Sequence, residues 1–154
     1  MFNVVLVEPE IPPNTGNVGR LCVATKSTLH LVKPLGFSLE DRQLKRAGLD
    51  YWEDVDLEVW ESLDELRRAH PAARFFFVTT KSRRTYWGEK FRPGDFLVFG
   101  RETKGLPESL LAEKKEACIT IPMAGTRSLN LATAVAIVLF EAVRQQRNGE
   151  DGVE

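Results

Sequence analysis

Arg74-Phe75-Phe76-Phe77-Val78-Thr79 lies near the middle of the 154-residue chain and carries four apolar residues without a polar break. A continuous apolar run suits a strand covered on both faces, as in parallel sheets. Outward from it, Phe2–Glu8 and Leu29–Lys33 read as strands on the N-terminal side, and Asp95–Phe99 and Ala117–Ile121 on the C-terminal side. Thr15–Lys26, Leu39–Ala47, Leu63–Ala69 and Glu108–Glu113 carry helical patterns between them. This alternation predicts an α/β fold, an open and mostly parallel sheet flanked by helices. The length predicts one domain over residues 1–147, with the polar, Gly-containing stretch 148–154 as a flexible C-terminal tail.

The final helix, Leu131–Gln146, is apolar around nearly its whole circumference, from Leu131 and Val135 to Phe140 and Val143. Such a helix must be buried. A homodimer interface would bury it; so would a central place in a monomer core.

Composition narrows the class. Hydrophobic residues make up 43% and charged residues 28%, ordinary for a globular protein. That is enough for a core without disulfides. Cys22 and Cys118 sit in apolar stretches outside any CxxC pattern, so reduced thiols are expected. A net charge of -1 gives no overall field for nucleic acid, so attraction to RNA needs a local patch. Met1-Phe2-Asn3-Val4-Val5-Leu6-Val7-Glu8 reads as a first strand and not a signal peptide. No apolar stretch approaches the ~20 residues that span a bilayer. The expectation is a cytoplasmic protein without membrane contact.

Three loops follow strands, where open α/β sheets bind ligands. In the first, from Pro9 to Arg20, two prolines stiffen the chain, and Asn14 or Thr15 can cap the next helix. That reading puts Arg20 about a turn inside the helix, near its positive end, pointing to solvent or binding a phosphate. In the second, Gly100-Arg101-Glu102-Thr103-Lys104-Gly105-Leu106-Pro107, Gly100 permits close backbone approach and Gly105 suits a left-handed conformation. Glu102 between them can accept hydrogen bonds from amides or a ligand, or simply be solvated in a turn. In the third, Ile121 to Asn130, Ser128 and Asn130 are both good caps for the apolar helix.

Other chemistries are poorly served. There is no GxxxxGK(S/T) phosphate loop, no GxGxxG after the first strand and no GxSxG elbow. Neither His30 nor His70 has a metal-ligand spacing, so no metal is expected. Two basic segments suit RNA: Lys81, Arg83, Arg84, Lys90 and Arg92 interleave with Tyr86, Trp87 and Phe91, and Arg42, Lys45 and Arg46 share a helical face. Solvated charge is the plainer account of both.

Taken together, Glu8-Pro9-Glu10-Ile11-Pro12-Pro13-Asn14-Thr15-Gly16-Asn17, Phe99 to Pro107, and Ile121-Pro122-Met123 through Ser128-Leu129-Asn130-Leu131 resemble the three signature motifs of the SPOUT-class RNA 2′-O-methyltransferases. Within that class the chain is similar to the single-domain TrmL type, which methylates the wobble nucleotide (cytidine or uridine) of tRNA. Arg42-Gln43-Leu44-Lys45-Arg46-Ala47-Gly48-Leu49-Asp50-Tyr51 also matches that subgroup, and the likeness runs from Met1 to about Arg147. The resemblance implies a sheet with a C-terminal deep trefoil knot and a homodimer through the C-terminal helix. It implies S-adenosyl-L-methionine bound in the knot, surrounded by Val78, Thr79, Gly100, Ile121, Met123, Ser128 and Leu129. It implies Arg20 as leading catalytic residue, with Asn14, Glu102 and Asn130 ordering the pocket. The anticodon stem-loop would be gripped by the dimer surface, through Arg42, Lys45, Arg46, Lys81, Arg83, Arg84 and Arg92. Arg101 stands where relatives often have proline, and Phe140 where they often have tyrosine. A non-catalytic RNA-binding dimer, or an enzyme for another tRNA position or rRNA, are the alternatives.

Overall fold

A computed structural model describes residues 1–147, so the expected tail at 148–154 lies outside the described residues. The strands are β1 (Asn3–Val7), β2 (Thr28–Val32), β3 (Asp56–Trp60), β4 (Phe75–Val78), β5 (Phe96–Phe99) and β6 (Cys118–Ile119). They form one sheet in the order β3-β2-β1-β5-β4-β6, with every strand pairing parallel. The register sets Val4 opposite Leu29 on one side and Leu97 on the other.

Because side chains alternate across a strand, each central strand feeds two cores. Val4, Leu6, Leu29, Leu31, Leu97 and Phe99 face one of them, with Val18, Val135 and Leu139 from the helices above. Val5, Val7, Phe77, Phe96 and Val98 face the other, with Leu66 and Leu106. This two-sided burial is the reason the strands read as continuous apolar runs. β3 was not anticipated. Its Asp56-Leu57-Glu58-Val59-Trp60 pattern alternates acids with apolar residues, as an edge strand with one wet face does.

The helices are α1 (Pro12–Ala24), α2 (Arg42–Gly48), α3 (Leu63–Ala69), α4 (Glu108–Glu113) and α5 (Leu131–Gln146). α1 begins at Pro12, not at Thr15. Pro12 and Pro13 occupy its first positions, where a missing N–H costs nothing. Asn14 and Thr15 are therefore inside the helix and do not cap it; Ile11 stands at the N-cap without a side-chain bond. Arg20 then lies beyond the helix midpoint, so the expected placement near the positive end does not hold. α2 starts at Arg42 rather than Leu39, capped by Asp41, whose carboxylate accepts from the Gln43 amide at 2.7 Å. Ser62 caps α3 through the Glu65 amide at 3.1 Å.

Two glycines let α1 pack closely. A Cβ at Gly16 would stand 2.2 Å from the Leu44 carbonyl oxygen, and one at Gly19 2.7 Å from Trp52 Cζ3. α5 buries one stripe, Leu131, Val135, Val138, Leu139 and Ala142, and leaves Thr133 and Phe140 exposed. The expectation of burial all round is thus met on one face only. Among the described residues, no helix is long and apolar enough to cross a membrane.

Candidate active site

The sheet changes direction between β1 and β5: the chain builds outward to β3, crosses to β4, and returns to β5 beside β1. At such a switch point the carboxyl ends of neighbouring strands open a crevice. Val78 and Thr79 stand at the end of β4, Gly100 follows β5, and Ile121 follows β6. All four line one cleft of about 950 Å³. Met123, Ser128 and Leu129 close another side of it, so the seven expected cofactor residues come together. Asn14, Glu102 and Asn130 line the same cleft.

The Glu102 carboxylate ties the loops to one another. It accepts from the Glu10 amide at 2.9 Å, the Ile11 amide at 2.8 Å and Asn14 Nδ2 at 3.3 Å. Asn130 Nδ2 in turn donates to Asn14 Oδ1 at 3.0 Å. Asn130 Oδ1 also caps α5, accepting from the Ala132 amide at 2.9 Å. One side chain thus caps α5 and ties the third loop to the first. Sequence reasoning missed Glu10, whose carboxylate accepts from the Thr103 hydroxyl at 2.7 Å and the Thr103 amide at 3.1 Å. Those bonds hold its carboxyl below the usual carboxylate range. Its place in an acid-proline motif gave no sign of a partner in a loop some ninety residues away.

The Gly100–Leu106 loop is closed by reciprocal bonds between Arg101 and Gly105. A Cβ at Gly100 would lie 2.1 Å from the Gly105 carbonyl carbon, so only glycine fits there. Gly105 takes φ +66, the left-handed value expected, and a Cβ there would meet nothing within 4 Å. Backbone on this side of the cleft is therefore bare and approachable. Leu106, Ile121 and Leu129 supply apolar surface nearby. Exposed backbone beside apolar walls suits a ligand with a flat heterocycle and a polar tail.

Arg20 does not line the cleft. It is exposed on α1, with its guanidinium carbon 5.6 Å from the centroid of the Tyr51 ring.

The basic segments divide. Lys45 pairs with Glu40 at 2.7 Å, Lys81 with Glu108 at 2.8 Å, and Arg84 with Glu89. Arg42, Arg46, Arg83 and Arg92 are exposed and form no ion pair among the described residues. Trp87 is 68% exposed, whereas Phe91 is buried against Phe76 and offers no stacking face, contrary to expectation. Lys81 also lines the cleft, together with Arg101, Lys104, Glu102 and Glu108, so the rim carries charges of both signs.

His30 and His70 lie in an aromatic cluster with Trp60 and Phe96, remote from the cleft. The Trp60 indole N–H donates to His30 Nδ1 at 3.0 Å, which leaves Nε2–H to donate to Asn3 Oδ1 at 2.9 Å. Burial pulls the His30 pKa down to about 4. Burial raises both thiols, that of Cys22 to about 12. Among the described residues, no group of three His, Cys, Asp or Glu side chains is placed to hold a metal ion.

Three comparisons bear on the cleft. The sequence profile of the SpoU rRNA Methylase family matches residues 1–140. A tRNA (cytidine(34)-2′-O)-methyltransferase of Burkholderia pseudomallei is 51% identical over 150 residues, covering 94% of this chain and 96% of the relative. A solved structure concerned with 2-OH methylation of C/U34 on tRNA superposes with a TM-score of 0.92 at 45% identity, over 96% of this chain and 97% of its own. An AdoMet-bound rRNA methyltransferase from Sinorhizobium meliloti superposes with a TM-score of 0.83 at 26% identity, over 93% of this chain and 56% of its own.

Proposed function

The chain belongs to the SpoU rRNA methylase family, and from that membership we propose that it transfers a methyl group from S-adenosyl-L-methionine to the 2′-hydroxyl of the tRNA wobble nucleotide, cytidine or uridine 34. The observation that carries this reading is the junction of the three motif loops around one cleft through Glu102, Asn14 and Asn130. It occurs in a chain half identical, over nearly its whole length, to a cytidine-34 enzyme.

When bound, the cofactor would supply a methyl group already activated by its sulfonium for transfer to the 2′-oxygen. The protein's task is alignment and charge stabilisation. Val78, Thr79, Gly100, Ile121, Met123, Ser128 and Leu129 would hold the cofactor, largely through backbone and apolar contacts. Glu102, Asn14 and Asn130 hold the loops in register and orient the ribose. Arg20, outside the wall of its own cleft, meets the RNA from the exposed face of α1. A guanidinium stays protonated, so its role is to fix a phosphate or the 2′-oxygen and offset developing negative charge rather than to remove a proton.

The same reading includes a single domain over residues 1–147 with a C-terminal deep trefoil knot. Supporting the knot, α5 packs on α1 and β5 although β6, which precedes it, lies at the far edge of the sheet. The connection must recross the strand ends beside the Gly100–Pro107 loop. The homodimer is supported by Phe140, a large apolar side chain 43% exposed on a largely apolar helix. The anticodon stem-loop then lies across surfaces that carry Arg42, Lys45, Arg46, Lys81, Arg83, Arg84 and Arg92. Arg42, Arg46, Arg83 and Arg92, without an ion pair among the described residues, are the strongest phosphate ligands of that set. A tRNA substrate and the lack of a membrane-crossing helix among the described residues fit a cytoplasmic enzyme.

Arg20→Ala tests the mechanism. It is expected to lower methyl transfer to tRNA by about 100-fold or more, with cofactor affinity unchanged. Transfer close to the wild-type rate would remove Arg20 from the chemistry.

A further inference from the structure

We propose that Tyr51 is a positioning residue that holds the Arg20 guanidinium for the RNA, an inference resting on the reading of Arg20 above. The Arg20 guanidinium carbon lies 5.6 Å from the Tyr51 ring centroid. Arg20 has no acidic partner among the described residues, so its charge is free for an anion. An exposed arginine otherwise loses considerable rotamer freedom when it binds. A ring face supports the guanidinium by cation–π attraction while leaving its in-plane N–H groups pointing outward.

The pairing is built from the backbone up. Tyr51 rides on a 3₁₀ turn, Leu49–Asp54, entered through Leu49 in the left-handed region at φ 52. The next residue, Trp52, packs directly on Gly19, where a Cβ would come within 2.7 Å of its ring. Gly19 immediately precedes Arg20, and Trp52 immediately follows Tyr51. The Gly19–Trp52 contact therefore sets the spacing of the neighbouring pair. Gly16 and Gly48 extend the same contact, since a Cβ on Gly16 would lie 3.0 Å from the Gly48 nitrogen. The Tyr51 hydroxyl makes no hydrogen bond to another of the described residues, which leaves the ring as the part that meets Arg20. Tyr51 is 46% exposed, so its truncation opens no cavity in the core.

The test is a kinetic cycle on the full-length protein: Tyr51→Leu, Tyr51→Phe, Arg20→Ala and the Arg20→Ala/Tyr51→Leu double variant. Each is followed by kcat and KM for tRNA, cofactor affinity by calorimetry, and melting temperature. Tyr51→Leu is expected to lower kcat about threefold to fivefold, the size an exposed cation–π contact supports, with cofactor affinity and melting unchanged. Tyr51→Phe should restore the rate to within about twofold of wild type, because the ring face is kept. In the Arg20→Ala background Tyr51→Leu should cost nothing further. An additive loss in the double variant would give Tyr51 its own contact with RNA and overturn the positioning role. Full activity in Tyr51→Leu, with Arg20→Ala still slowed about 100-fold, would overturn it while sparing Arg20. Activity in Arg20→Ala would instead strike the reading on which the proposal rests. Tyr51→Met, with bulk but no ring, replaces Tyr51→Leu should that variant melt early.

Discussion

Removing the Glu102 carboxylate should loosen the first turn of α1 and the cleft in one step. In Glu102→Ala the amides of Glu10 and Ile11 lose acceptors at 2.9 and 2.8 Å, and the buried Asn14 loses the partner of its Nδ2. Water replaces the exposed bond to Ile11 at little cost. The part-buried bond to Glu10 is charge-assisted and is worth about 1.5–3 kcal/mol. A negative charge at a helix N-terminus adds about 0.3–1 kcal/mol. The sum is a loss of about 2–4 kcal/mol, which lowers the melting temperature by roughly 4–16 °C in a chain of this length. Glu102→Gln keeps one oxygen for an amide but presents NH₂ to the others, so about half the loss is expected. Differential scanning calorimetry at one fixed protein concentration measures both, since an oligomer's melting depends on concentration. A Glu102→Ala protein melting within about 1 °C of wild type, with unaltered cofactor affinity, would refute the claim that this carboxylate joins the loops.

Gly100→Ala should lower stability and abolish the thermal shift that S-adenosylmethionine produces, because its methyl would collide with the Gly105–Leu106 backbone at 2.1–2.2 Å; an undiminished shift would contradict the geometry. His30 titrates near 4 in the folded protein, below its ordinary 6.5, from burial first and the nearby His70 second. The unfolded chain therefore takes up the proton first, and stability is lost as pH falls from about 6.5 towards 4, by an amount of order 3 kcal/mol. Urea unfolding at both ends of that window should show a steeper acid loss in wild type than in His30→Gln, and equal slopes would dismiss the assignment. Phe140→Glu places a charge on the exposed face of α5. Sedimentation should show monomers against a dimeric wild type, and an intact dimer would move the interface elsewhere.

The sequence disclosed most where burial is symmetrical. Phe75-Phe76-Phe77-Val78 was readable as a strand covered on both faces, and α5 because Asn130 caps it where expected. β3 escaped because its acids alternate with apolar residues at an edge. The start of α1 was misplaced because Asn14 and Thr15 are typical caps, yet the proline pair begins the helix earlier and Glu102, from a distant loop, serves its end. Composition could not separate the paired Lys45, Lys81 and Arg84 from Arg42, Arg46, Arg83 and Arg92, which have no ion pair among the described residues, since ion pairs depend on tertiary neighbours. Nor could it separate the core residue Phe91 from the exposed Trp87. The cleft residues were legible through resemblance, whereas Glu10 and Tyr51 became visible only when their partners were in place.

The central claim is a 2′-O-methyl transfer to the wobble nucleotide, and nucleotide mapping tests it most directly. Purified protein is incubated with unmodified tRNA and labelled S-adenosylmethionine, and the product is digested with nucleases to locate the label. The account predicts a single 2′-O-methyl group on cytidine or uridine 34. Label at another nucleotide, or no transfer by a dimer that binds tRNA tightly, would contradict it.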